Sequence, residues 1–366
     1  MTETVLLIAP VPPPFGGMAL QAGQLGRLLE QDGMRVVRFP SNFELPGGLR
    51  VFERIPGLRT GLRALWIWVK LWRQMPRIQI IHIFAASWLY FFAVACPAIV
   101  VGRIHRKRLI LNYRGGGAKQ FFDKFGFVLR PFFRAVSAVT APSEFLAKII
   151  QSHFDVPVSI VPNILDFSLF RYRCRSTVQP KLLVTRHLEA MYDIESVIRA
   201  FQLVQARHPE ATLWIAGTGS QEAYLRELVE NLGLKWVRFL GQVPHKDLPA
   251  TLDQCDIFIN ASLVDNFPGS LLEASAAGLP VVSTNSGGIP AIYQDGKNAL
   301  LRNPSDWRGL AEAVDEVLMS PSLAMKLSTE GAAVARNCDW TAVRKSLYLV
   351  YGTAPEPDPV RTVSAR

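Results

Sequence analysis

Residues 260–290 read NASLVDNFPGSLLEASAAGLPVVSTNSGGIP, and the order of elements within them indicates the fold. A strand ends near Asn260, a loop leads to a helix that begins near Gly269, and a Gly-Leu-Pro turn precedes a buried strand and a Gly-Gly loop. Short apolar runs alternate with helical patterns in both halves of the chain. They are VLLIAP, MRVVRF, IQIIHIF, RLILNY, AVTAP and VSIVPN, then KLLVT, ATLWIAG, VRFLG, DIFINAS, LPVVST and NALLR. This alternation predicts an α/β protein with two parallel sheets.

The length of 366 residues allows two domains, each with its own core. We place an N-terminal domain at residues 1–172 and a C-terminal domain at 176–340. The polar stretch Arg171–Pro180 (RYRCRSTVQP) is the predicted linker between them. A helix at 341–352 could cross back to the first domain, and a Pro-rich tail at 353–366 is expected to lack fixed structure. Because open α/β sheets bind ligands at the carboxyl ends of their strands, the cleft between the domains is the expected active site.

The charge is unevenly distributed along the chain. Residues 1–175 hold 23 Lys and Arg against 9 Asp and Glu, whereas residues 176–366 hold 17 against 21. The basic half therefore favours an anionic partner. The four cysteines are widely spaced and form no CxxC pair, which argues against a zinc site or a disulfide framework and fits a reducing cytoplasm. The start of the chain lacks the pattern of a secretory signal.

The apolar stretch at residues 78–101 is long enough to suggest a transmembrane helix. Gln79, His82 and Pro97 interrupt it, so a strand followed by a buried helix is the preferred interpretation. His82 itself is expected to be a hydrogen-bonded core histidine rather than a catalytic one.

Two acidic residues in the opening stretch are candidates for ligand binding. Asp265 lies in the loop, and Glu273 lies about one turn into the helix among apolar neighbours. Burying a carboxylate among apolar residues is costly, so its presence there suggests a function. The free N–H groups at the start of that helix (Gly269, Ser270 and Leu271) favour a phosphate. Because a carboxylate repels a phosphate, Glu273 is better suited to bind a neutral diol such as a ribose. Each acid could instead be an ordinary solvated charge.

This stretch resembles the signature of retaining GT-B glycosyltransferases of family 4: two acidic residues with seven between them, then a Gly-x-Pro-Val-Val strand and a Gly-Gly-x-Pro loop. The resemblance extends to VTRHLEAMYDIESVIRAFQLV, WIAGTGSQ, FLGQVPHKDLPATLDQCDIFINAS and SIVPNILDFSLF, and covers roughly residues 140–320. PPPFGGMALQ and LNYRGGG add weaker matches in the first half. The resemblance implies two Rossmann-like domains that face a central cleft.

The resemblance also implies roles for individual residues. It gives Glu273 the ribose hydroxyls, Asp265 the hydroxyls of the donor sugar and Arg186 the donor diphosphate, where a guanidinium offers two parallel hydrogen bonds. The family usually has Glu where this chain has Asp265. Its second cation is absent, since Met191 and Tyr192 stand in that region.

Further positions follow from the same resemblance. Gly217 and Gly219, in IAGTGS, and the backbone around Val243 are placed near the nucleotide. The third glycine of a dinucleotide fingerprint is missing, because Glu222 takes its place, so a nicotinamide enzyme is disfavoured. In the first half, Gly16 and Gly17 let the backbone approach a ligand, or form an ordinary turn. Arg114 occupies the position of the family's histidine; being a permanent cation, it could stabilise a leaving phosphate but not act as a base.

The segment 50–77 has seven Arg or Lys and one acid, interleaved with Trp66, Trp68 and Trp72. This composition favours binding to an anionic membrane surface, although a core helix with solvated cations would have the same composition. Basic charge also attracts nucleic acid, but no nucleic-acid-binding motif is present.

The combined prediction is a cytoplasmic glycosyltransferase, peripheral at the inner face of the membrane. It would move a hexose from a UDP- or GDP-linked sugar to a lipid-linked or oligosaccharide acceptor in polysaccharide or glycolipid synthesis, without a metal or further cofactor. Two alternatives remain at this point: a nucleotide-sugar epimerase on a similar scaffold, and a non-catalytic protein that binds sugar nucleotides or lipids.

Overall fold

A computed structural model of the chain describes residues 3–12, 16–42 and 56–353, with only the backbone at 56–61 and 64. The chain divides into two compact units, one of residues 1–164 and 340–366 and the other of residues 165–339. Each unit is built on one six-stranded parallel sheet, with α-helices between most of the successive strands. The expected α/β class with two Rossmann-like units is therefore confirmed. Pro13–Phe15, Arg50–Ile55 and the tail beyond Thr353 lie outside the described residues.

The first unit has the strand order β2-β1-β3-β4-β5-β6. Its strands are β1 (Thr4–Ala9), β2 (Arg35–Pro40), β3 (Ile80–Ala85), β4 (Arg108–Tyr113), β5 (Ala138–Ala141) and β6 (Val158–Ile160). The helices that connect them are α1 (Gly17–Gln31), α2 (Pro56–Gln74), α3 (Cys96–Ile104), α4 (Ala118–Ala135) and α5 (Glu144–Phe154). Every residue of β1 and β3 is buried, as expected for central strands with both faces covered.

The second unit has the strand order β12-β11-β10-β7-β8-β9. Its strands are β7 (Lys181–Thr185), β8 (Thr212–Ala216), β9 (Val237–Gly241), β10 (Ile257–Ile259), β11 (Val281–Thr284) and β12 (Leu300–Arg302). Its helices are α6 (Ile194–Arg207), α7 (Glu222–Asn231), α8 (Leu248–Asp253), α9 (Gly269–Ala276), α10 (Trp307–Met319) and α11 (Pro321–Arg336). Side-chain caps fix several helix starts; Asp193, for example, accepts a hydrogen bond from the backbone of Ser196.

The last helix, α12 (Trp340–Tyr351), belongs to the first unit. Arg108 donates hydrogen bonds to the carbonyl of Val350, at 3.2 and 3.0 Å. The hydroxyl of Tyr351 lies 2.8 Å from Nδ1 of His82. The helix therefore completes the core on one face of the first sheet.

His82 is fully buried, and both of its ring nitrogens have partners, since Nε2 lies 3.0 Å from the amide nitrogen of Asn112. Burial first, and then the charge of Arg114, lower its pKa to about 3, so the ring is neutral. The prediction of a core histidine is confirmed. The strand and helix expected at 78–101 are β3 and α3, and among the described helices none is both long and apolar enough to cross a bilayer.

The prediction of a linker at Arg171–Pro180 is wrong. Arg175 is only 1% exposed, and its guanidinium donates to the carbonyls of Arg173, Ala277, Leu252 and Cys255. Arg173 binds the carboxylates of Asp253 and Asp256, each at 3.0 Å. These contacts fix the segment to the second unit, so the division between the units falls at residues 164 and 165 rather than at 172–176.

Candidate active site

Arg186 is held at the carboxyl edge of the second sheet, directly after β7. Its Nε donates to Oδ1 of Asn260, which follows the neighbouring strand β10, at 3.0 Å. Its Nη2 lies 2.8 Å from Oδ2 of Asp265, and both side chains are largely buried, at 10 and 12% exposed. The guanidinium carbon also lies 5.3 Å from the centre of the Tyr192 ring. The sheet topology thus brings together two residues of the sequence prediction that are 79 positions apart.

The Arg186–Asp265 contact leaves hydrogen-bonding capacity unused. Nη2 and Oδ2 are close enough for an ion pair, yet neither atom has a hydrogen-bond partner with favourable geometry among the described residues. Buried polar atoms of this kind require an explanation, and ligand binding is one. The other carboxylate oxygen of Asp265 accepts from the backbone N–H of Phe267 at 3.1 Å.

The Gly-Gly loop after β11 fixes the backbone at Asp265. Gly288 donates its N–H to the Asp265 carbonyl at 2.7 Å. Gly287 has φ +57°, and a Cβ there would collide with the backbone of Asp265. The two loops at this edge therefore depend on a glycine at position 287.

Glu273 lies on α9, and its Oε1 is 3.1 Å from Nε2 of His245 in the loop after β9. The ring of His245 in turn packs edge-on against Phe170, with centroids 6.4 Å apart. His245 was not among the residues singled out from the sequence. The neighbouring Val243 was, and the structure places it among the partly buried residues beside the core under α9.

Helix α9 begins at Gly269 without a side-chain cap. The hydroxyl of Ser270, in its first turn, is buried and has no hydrogen-bond partner among the described residues. Leu271 is fully buried and anchors the helix in the core. Unsatisfied donors at the start of a helix suit an anion such as a phosphate.

The glycines after β8 are explained by contact with the loop that follows β7. Gly217 has φ +150°, and a Cβ there would collide with the carbonyl of Arg186. A Cβ at Gly219 would collide with the backbone of Leu188, whose N–H bonds to the carbonyl of Thr218 at 3.0 Å. Both glycines therefore allow a close approach of backbone to the segment that carries Arg186. Their contact with a nucleotide remains a prediction.

The position expected to hold a second cation contains Met191, which is exposed. Its carbonyl accepts a hydrogen bond from Leu263 N–H at 2.9 Å, so it holds the loop that leads to Asp265.

In the first unit, Gly16 caps the start of α1, and a Cβ at Gly16 or Gly17 would meet no atom within 4 Å. Packing within the described residues therefore does not require glycine at either position. Arg114 follows β4 and lies over the ring of Phe84, with its guanidinium carbon 5.3 Å from the ring centre. Burial lowers the pKa of Arg114 to about 10, which keeps it charged at neutral pH.

Two family models match the chain. "Glycosyltransferase Family 4" matches residues 15–169, and "Glycosyl transferases group 1" matches residues 175–334. The two matched segments fall almost entirely in the first and second unit, respectively. The chain therefore belongs to the GT-B glycosyltransferases of the family 4, group 1 type.

Curated relatives match a smaller part of the chain. A glycogen synthase of Mycobacterium tuberculosis is 30% identical over 198 residues, which cover 53% of this chain and 48% of the relative. A D-inositol 3-phosphate glycosyltransferase of Corynebacterium jeikeium is 30% identical over 179 residues, which cover 46% of this chain and 42% of the relative. The chain thus spans about half the length, or less, of these relatives.

Solved structures match over nearly the whole length. Anabaena HepE in complex with UDP and glucose has a TM-score of 0.73 at 17% identity, covering 96% of this chain and 99% of HepE. Sucrose-phosphate synthase from Thermosynechococcus elongatus has a TM-score of 0.76 at 18% identity, covering 96% of this chain and 98% of the synthase. At this level of identity the likeness establishes the fold.

Proposed function

We propose that the chain is a retaining glycosyltransferase that moves a hexose from a UDP- or GDP-linked sugar to a lipid-linked or saccharide acceptor. The observation that carries this proposal is the unsatisfied, largely buried Arg186 Nη2 at the carboxyl edge of the second sheet, where α/β folds bind their ligands. Family membership and the UDP-glucose complex of HepE support the same ligand class.

In this proposal the donor diphosphate binds Arg186 and the start of α9. A phosphate oxygen would satisfy Nη2 of Arg186 and the hydroxyl of Ser270, the two orphaned donors at this edge. Asp265 holds the guanidinium in place and uses its remaining lone pairs for a sugar hydroxyl. Glu273 accepts hydrogen bonds from the ribose after exchanging its contact with His245.

The chemistry needs charge stabilisation more than a protein base. The acceptor oxygen bonds to the anomeric carbon of the sugar as the bond from that carbon to the diphosphate breaks, and the leaving diphosphate takes the acceptor's proton. Preorganised cations that stabilise the developing negative charge of the diphosphate lower the barrier. Arg186 supplies one such cation. The scheme uses no metal or additional cofactor.

The ribose assignment is tested with Glu273→Ala. We expect this variant to bind UDP or GDP about 1.5–3 kcal/mol more weakly, which is the contribution of hydrogen bonds to a charged group. Calorimetry of the full chain measures the change, with the better ligand first identified from a thermal-shift panel of UDP- and GDP-sugars. Glu227→Ala, on the exposed face of α7, is the matched control and should leave the affinity unchanged.

Equal affinities for wild type and Glu273→Ala would remove the ribose assignment. Turnover of the donor without an acceptor, giving an epimerised sugar, would favour the epimerase. Donor binding without transfer or hydrolysis would favour a binding protein.

We also propose that the first unit binds anionic membranes through α2 and α4. Within α2, Ile67 and Leu71 face the core, whereas Leu65, Val69 and Trp72 form an exposed apolar stripe at helical spacing. In α4, Phe127 is 94% exposed and Val128 is exposed beside it. Both helices pack on the same core cluster and so lie on the same side of the sheet. Exposed cations flank both apolar sites, as at Arg73 and Lys124.

Vesicle co-sedimentation tests the membrane proposal. Binding should require anionic lipid and decrease as salt rises, because exposed cations near such a surface contribute on the order of 1 kcal/mol each and are screened. Changing Leu65, Trp72 and Phe127 to Ser should abolish binding to anionic vesicles. Leu349→Ser, at an exposed position of α12, is the control and should bind normally. Equal binding to neutral and anionic vesicles, or none to either, would contradict the proposal.

A further inference from the structure

A groove of about 680 Å³ lies at the amino edge of the second sheet, opposite the edge that holds Arg186. Its floor is formed by Lys181, Thr212, Trp214 and Arg238. The register pairs Lys181 with Thr212 and Trp214 with Arg238, and alternate residues of a strand share a face, so all four side chains lie on one face of β7–β9. Helix α8 packs on this face but has only six residues, which leaves the corner uncovered. The volume is in the range of small-ligand sites.

The groove combines aromatic surface with positive charge. Trp214 is half-buried in the floor, and Trp236 forms a wall with 61% of its surface exposed. Lys181 and Arg238 have no carboxylate within ion-pair distance among the described residues, whereas Asp253 and Asp256, which also line the groove, are bound by Arg173. The guanidinium carbon of Arg238 lies 5.8 Å from the centre of the Trp214 ring. The groove therefore offers the exposed indole of Trp236 and two cations that bind no carboxylate among the described residues.

The backbone at Trp236 is strained. It has φ +60°, a conformation that few residues other than glycine adopt. Its carbonyl accepts a hydrogen bond from Leu213 N–H at 3.1 Å, which fixes this geometry against β8. A large aromatic side chain held exposed on strained backbone is typical of a functional position.

We propose that this groove binds an oligosaccharide that contains an acidic sugar. The C–H face of a sugar ring packs against an indole, and a sugar carboxylate pairs with Lys181 or Arg238. Hydroxyls would bond to Gln254 and Thr212, which also line the groove. A polyphosphate is a poorer fit, because it offers no C–H face to pack against the indole rings of the groove. The site goes beyond the proposed transfer reaction and would hold a saccharide chain away from the donor.

The test is a titration of the full chain with tetragalacturonate, in which tryptophan fluorescence and calorimetry measure binding. Trp236→Asn removes the ring, and asparagine tolerates the backbone conformation, so the variant should fold. We expect Trp236→Asn to bind tetragalacturonate at least roughly tenfold more weakly than wild type. The double variant Lys181→Gln with Arg238→Gln should lose affinity to the same extent. Lys297→Gln, an exposed cation outside the groove, should bind as wild type.

Maltotetraose and oligothymidylate are titrated in parallel. Tighter binding of tetragalacturonate than of either supports the proposal, whereas preference for oligothymidylate would overturn it in favour of nucleic acid. The proposal would also be overturned if no saccharide bound, or if Trp236→Asn bound tetragalacturonate with the affinity of wild type. Glu273→Ala should keep tetragalacturonate binding, so failure at the groove and failure at the donor site are distinguishable.

Discussion

Replacing Arg186 with alanine should weaken the binding of a nucleoside diphosphate about 10- to 100-fold. The guanidinium is a cation at the carboxyl edge of β7, and its Nη2 lies 2.8 Å from Oδ2 of Asp265 without a hydrogen bond of favourable geometry among the described residues. Arg186→Lys should also lose affinity, because a point charge replaces a planar fork that Asn260 and Asp265 orient. Calorimetry with UDP and GDP measures both variants.

Arg199→Ala is the matched control for this experiment. Arg199 pairs with Glu195 one turn away on α6, at 2.8 Å, so its removal should leave nucleotide affinity unchanged. Full affinity in Arg186→Ala would place the phosphate site elsewhere in the chain.

Replacing Arg175 with alanine should lower the free energy of unfolding of the second unit by about 3–5 kcal/mol, the cost of breaking a buried ionic network. The fully buried guanidinium donates to four backbone carbonyls and lies 3.8 Å from Asp256. Burial lowers its pKa to about 10, so it remains charged at neutral pH. Its loss leaves those carbonyls unsatisfied and a buried carboxylate with one partner fewer.

The measurement is hydrogen exchange of the full chain in urea, read at peptides from residues 165–339, which separates the second unit from the first. Arg171→Ala, an exposed neighbour on the same segment, should leave the exchange unchanged. An unchanged unfolding midpoint in Arg175→Ala would show that the segment contributes little to the unit.

The sequence allowed the fold to be predicted because parallel strands covered on both faces leave continuous apolar runs, as in VLLIA and IIHIFA. The misinterpretation of Arg171–Pro180 has a related cause. A polar, irregular segment has the composition of a linker. Its sequence does not show that the carbonyls of Leu252, Cys255 and Ala277 accept hydrogen bonds from the guanidinium of Arg175. Only the tertiary structure brings these groups together.

The candidate site was predicted in part. The resemblance to family 4 glycosyltransferases identified Arg186, Asp265 and Glu273 as site residues. The pairing of Arg186 with Asp265 depends on β7 and β10 being neighbours, which the order of the chain does not reveal. His245 was missed because its contact with Glu273 joins a loop after β9 to α9, and a single histidine in VPHKDL gives no local signal.

The most direct test of the nucleotide-sugar site is hydrogen-exchange mass spectrometry of the full chain with UDP-glucose and with GDP-mannose. The proposed site predicts that one of the two protects residues 186–192 and 262–274, the segments that contain Arg186, Asp265 and Glu273. Residues 171–180 should show no change. Absence of protection with both sugars, or protection confined to other segments, would contradict the assignment of this edge of the sheet as the donor site.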